Sequence, residues 1–113
     1  MPKLTNEEFQ RQHDEYRESY AMKANILWEI FRSIKVEHPM LHSIPGSIRG
    51  LPTVRITPSA LGLDAPRDIK IMINENGDLI AFFSCVSGPE FTIDMSDPKS
   101  FEKIKTWIIK AIK

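Results

Sequence analysis

"DIKIMINENGDLIAFFSCV", residues 68–86, carries the strongest local signal in this chain. Two runs rich in β-branched and aromatic residues flank Asn76-Gly77, and that dipeptide between apolar runs marks a hairpin turn. A two-residue type I′ loop would pair Asn74 with Leu79, Ile73 with Ile80, Met72 with Ala81, Ile71 with Phe82 and Lys70 with Phe83. Directly paired residues share a face, so this register predicts a core face of Ile69, Ile71, Ile73, Ile80 and Phe82. The other face then carries Lys70, Met72, Asn74, Leu79, Ala81, Phe83 and Cys85, which is too apolar for open water. Either one of the protein's own helices or a second chain is expected to cover it.

Outward from the hairpin, "TVRIT" (Thr53–Thr57) and "FTIDM" (Phe91–Met95) alternate apolar and polar residues as half-buried strands do. "TPSALG" (Thr57–Gly62) reads as one helical turn, with Thr57 as cap, Pro58 first and Gly62 as stop. "SGPE" (Ser87–Glu90) turns the chain. An antiparallel sheet of three or four strands over residues 53–95 is expected.

Helices flank this sheet on both sides in sequence. Thr5 and Glu8 fit a capping box, with Leu4 and Phe9 placed as a hydrophobic staple. Phe9, Tyr16, Tyr20, Ala24, Leu27, Phe31 and Ile34 then follow at helical steps, with His13 in the one gap, and nothing breaks the pattern before Pro39. A helix over 6–36 would be about 46 Å long, against roughly 30 Å for a small domain, so either it breaks or one end overhangs and is covered by a partner. From Asn6 to Tyr20 the stripe is narrow, aromatic and flanked by charges, as at a helix–helix seam. From Ala24 to Val36 apolar residues (Ile26, Leu27, Trp28, Ile30, Phe31, Ile34) lie on several sides. Asp97-Pro98 pairs a capping carboxylate with a first-turn proline and opens a helix over 98–112. There Phe101, Ile104, Trp107, Ile108, Ala111 and Ile112 form one arc, opposite Lys99, Lys103, Lys110 and Lys113. The expected fold is a single α+β domain, residues 1–113, in the order α-β-β-β-β-α.

Composition bounds the function. Fifteen basic residues balance fifteen acidic ones, so no net field draws the chain to nucleic acid or to an anionic membrane. No apolar run is long enough to span a bilayer. One cysteine excludes an intramolecular disulfide, and a soluble protein of the reducing cytoplasm is the expectation. Charge is nonetheless segregated: residues 98–113 hold five lysines against Glu102 alone, whereas residues 38–97 hold four basic residues against seven acids.

"HPMLHSIPGSIRGLP" (His38–Pro52) concentrates the residues that site chemistry favours. Each chemistry there lacks a companion. His38 and His42 have the spacing of a helical zinc pair, but Pro39 biases His38 away from helix, and only Cys85 and His13 remain as further soft ligands. "PGSIRG" lacks the following helix terminus that supports a phosphate loop. The stretch therefore reads as a joint between helix and sheet, with Arg49 kept as a binding candidate. Cys85 has no nucleophile motif and reads as a small buried residue. Asp64, Asp68, Asp94 and Asp97 lie where acids cap, turn or face solvent.

No catalytic residues, cofactor or metal are therefore expected. The leading expectation is a non-enzymatic protein-binding module, dimeric, acting as an inhibitor, adaptor or immunity-type factor by occluding a partner. Its binding residues would be Phe9, Tyr16 and Tyr20, with Met72, Leu79 and Phe83. The alternative is nucleic-acid or nucleotide binding through Lys99, Lys103, Lys110 and Lys113, with Arg49 and Arg55.

Overall fold

The computed structural model describes residues 5–58, 68–84 and 88–112. Its elements run α1 (Asn6–Glu37), β1 (His42–Ile48), β2 (Leu51–Thr57), β3 (Ile69–Ile73), β4 (Asp78–Phe83), β5 (Phe91–Asp94) and α2 (Ser100–Ala111). The α+β expectation holds, with a long first helix, an antiparallel sheet and a C-terminal helix. The sheet has five strands in the order β1-β2-β3-β4-β5, not three or four.

The additional strand is the proline- and glycine-rich joint. β1 pairs antiparallel with β2 from His42↔Thr57 to Ile48↔Leu51. It occupies the sheet edge, where Pro45 leaves no ladder bond unmade on an inner strand. Its turn is Arg49-Gly50, both with positive φ (51° and 77°), which is the type I′ geometry.

The β3–β4 turn takes the other common form. Gly77 alone has positive φ (81°). The Gly77 N–H donates to the Asn74 carbonyl at 3.1 Å, and the Asn74 N–H donates to the Asp78 carbonyl at 3.0 Å. Asn74 Oδ1 also accepts from the N–H groups of Asn76 and Asp78. These bonds stitch a three-residue loop, Glu75 to Gly77, in which the glycine forms a bulge. The register is thus Ile73↔Leu79, Met72↔Ile80, Ile71↔Ala81, Lys70↔Phe82 and Ile69↔Phe83. One residue of slip turns all of β4 over: Leu79, Ala81 and Phe83 join the core face, and Ile80 and Phe82 leave it.

Across the sheet, one face therefore carries Val54, Ile56, Ile69, Ile71, Ile73, Leu79, Ala81, Phe83, Phe91 and Ile93. Both helices pack there, α1 on β2 and β3, α2 on β4 and β5, and they also touch each other. They do not sandwich the sheet. Leu27, Ile30, Phe31 and Ile34 of α1 meet Ile104 and Ile108 of α2 in one core. Burying each such side chain contributes about 1.5–3 kcal/mol.

The capping box at Thr5 and Glu8 forms as expected, while Leu4 of the expected staple lies outside the described residues. α1 is unbroken for 32 residues. Its buried positions all fall in the second half, and even there Trp28 and Val36 face solvent. α2 begins at Ser100, two residues after the expected start. The N-cap is Lys99, without a side-chain cap bond, rather than Asp97; two residues earlier, Asp97 Oδ1 accepts the Lys99 N–H at 2.8 Å and its carbonyl accepts the Ser100 N–H. The turn expected at Thr57–Gly62 lies largely outside the described residues, and Thr57 itself ends β2.

Candidate functional site

Three surfaces bear on function: the projecting part of α1, the sheet face away from the helices, and the outer side of α2. The Tyr16 hydroxyl donates to the Gly50 carbonyl at 2.7 Å, which ties α1 to the β1–β2 turn at one end of the sheet. Tyr20 stacks beside Tyr16 at 6.2 Å between ring centres and is half-buried. Residues 6–15 of α1 pass beyond the sheet, about 15 Å of helix. Residues 5–18 are all exposed, with Phe9 at 63%. Of the aromatic seam, then, Tyr16 and Tyr20 have side-chain partners among the described residues, whereas Phe9 is 63% exposed.

The face away from the helices carries Met72, Ile80 and Phe82, all half-buried, with Ile44 and Ile48 of β1. Leu79 and Phe83 are not on it. Leu79 is fully buried in the core, and Phe83 packs on Trp107 of α2 at 5.8 Å. They were placed outside by the two-residue loop, and their expected role on an open face goes with it. Ile80 and Phe82 take that place, and the signal for them was Asn74, whose side chain favours closing the longer loop.

The same face holds buried polar groups at its other end. Arg55, expected on a phosphate-binding surface, is 8% exposed and pairs with Asp68 (2% exposed), Nη1 to Oδ2 at 3.3 Å. A guanidinium enclosed beside a carboxylate is a structural pair rather than an exposed anion site. Arg49 is exposed in its turn. Nearby, a cavity of about 550 Å³ opens between the C-terminal ends of α1 and α2, lined by His38, Met40, Leu41, Ile56, Pro58 and Ile112 among others. Apolar side chains line most of it, which suits an apolar guest.

On α2, Lys99, Lys103 and Lys110 line a shallow groove together with Glu102, Thr106, Phe91 and Trp107, the two rings lying 6.1 Å apart. Lys113 lies outside the described residues. Trp107, on the apolar arc of α2, is half-buried and also lines this groove. Lys103 donates to Asp97 Oδ2 at 3.1 Å. The Lys99 N–H first, and the Lys103 ammonium second, hold the Asp97 carboxyl below the ordinary value of 3.8. The Ser96 N–H does the same for Asp94.

The histidines do not pair on a helix. His38 follows α1 and His42 begins β1. Among the described residues, no three His, Cys, Asp or Glu side chains gather as metal ligands. Cys85 and Asp64 lie outside those residues. No helix among them is long and apolar enough to cross a membrane. No family model, curated protein or solved structure matches the chain.

Proposed function

We propose that this chain is a non-enzymatic protein-binding module, dimeric, which acts by occluding a surface of a protein partner in the cytoplasm, as an inhibitor, adaptor or immunity-type factor does. One observation carries the reading. Residues 6–15 carry α1 beyond its own sheet with their side chains exposed, Phe9 at 63%. A helix turn without tertiary packing contributes little to the stability of its own domain. A large exposed aromatic on such a segment is typical of interface anchors. The sheet face with Met72, Ile80 and Phe82 offers a second apolar surface.

The test uses the intact chain as bait in its native host, beside the Phe9→Glu and Phe82→Lys variants, with captured proteins quantified by mass spectrometry. A protein retained by the intact chain and lost from one variant is expected. An identical set from all three baits overturns the reading.

A second reading rests on the α2 groove. Lysines beside two aromatic rings are the means by which proteins hold single-stranded nucleic acid. Fluorescence anisotropy with a labelled oligonucleotide tests it: phosphate binding weakens steeply between about 50 and 200 mM salt.

A further inference from the structure

The overhang and the α2 groove are complementary to each other. Residues 6–20 hold five acids, Glu7, Glu8, Asp14, Glu15 and Glu18, against Arg11 and Arg17. Two such segments side by side would repel, which argues against the overhang pairing with its own copy. The α2 groove has the opposite sign, with Lys99, Lys103 and Lys110 against Glu102, while Lys105 lies beside Glu37 of α1 instead.

The spacing also matches. Glu8 and Glu15 are seven residues apart on one edge of α1, and Lys103 and Lys110 are seven apart on α2. Seven residues are close to two helical turns, about 10.5 Å. Laid antiparallel, Glu15 meets Lys103 and Glu8 meets Lys110. Phe9 lies about 100° around the helix from Glu8, and Trp107 lies about 40° beyond Lys103. In antiparallel helices these displacements fall on the same side of the contact, so Phe9 approaches Trp107 and Phe91.

The fold permits both contacts at once. The Met95 N–H donates to the Gly77 carbonyl, so α2 starts at the end of the sheet that also holds Gly50 and the overhang. The C-terminal ends of both helices line the cavity at the opposite end, so α1 and α2 run parallel. A twofold axis at the hairpin end makes each overhang antiparallel to the partner copy's α2, and a twofold contact closes rather than propagates.

We infer that the occupant of the Lys103–Trp107–Lys110 groove is the N-terminal overhang of a second copy of this chain, two reciprocal contacts making the dimer. The inference rests on the dimeric reading above. Lys103 leaves no strong bond to join it, because an exposed pair such as Lys103–Asp97 contributes little.

Sedimentation equilibrium on the full chain, the Glu15→Lys variant, the Lys103→Glu variant and their equimolar mixture tests it, with thermal unfolding as a check on folding. Each variant alone places like charges at both contacts, and its self-association should weaken by about tenfold or more. The mixture restores opposite charges at both contacts and should form a 1:1 heterodimer with an affinity near that of the unaltered chain. Variants that dimerise as the unaltered chain does, or a mixture that fails to recover, overturn the groove assignment and leave the dimer standing. An unaltered chain that stays monomeric at all concentrations overturns the dimeric reading and the inference with it.

Discussion

Arg55 shows how far a residue's type can mislead about its role. In sequence it is a cation in an alternating strand, facing away from the core. In the fold its side chain is enclosed with Asp68, a residue thirteen positions later whose own carbonyl accepts the Ser84 N–H at 2.7 Å. Removing one member leaves the other charge buried. Arg55→Ala should therefore cost about 3–5 kcal/mol, measured by urea denaturation. A surface cation of the kind the sequence suggested would lose under about 0.5 kcal/mol. Asp97 was legible in part by contrast, because a carboxylate before a proline near a helix start meets its partners within a few residues of chain.

The β3–β4 hairpin decides the question at the scale of elements. Its existence was plain from Asn76-Gly77 and the runs beside it. Its register depended on whether the loop holds two residues or three, and Asn74 settles that by bonding to both Asn76 and Asp78. The register has an energetic signature. Leu79→Ala should destabilise the protein by about 2–5 kcal/mol, as deletions in a packed core do. Ile80→Ala, one residue along and on the other face, should cost distinctly less. Thermal and urea unfolding of the two variants read this directly, and equal losses would contradict the three-residue loop. β1 was harder to see, since proline and glycine ordinarily mark loops. An edge position removes the penalty for Pro45, and only the pairing with β2 reveals it as a strand.

For the whole molecule, the 32-residue α1 outruns the sheet it packs on, and the longest extent of the molecule is 53 Å against 26 Å for the shortest. The positions that stabilise the domain thereby fall in one half of the helix. Phe9→Ser, measured at concentrations low enough to keep the chain monomeric, should shift Tm by less than about 4 °C. Phe31→Ala, at a buried position, should cost about 3–5 kcal/mol. A large loss for Phe9→Ser would mean that the overhang folds back on its own domain. Helical periodicity, the capping box and the charge segregation were determined by the sequence itself, because each depends on residues within a few turns of one another. The register of β4, the strand character of His42–Ile48, the burial of Arg55 and the gathering of both helices on one sheet face were decided only in the tertiary structure. Each of these depends on a loop closure or a distant partner, and the local pattern alone has no energetic preference among the alternatives.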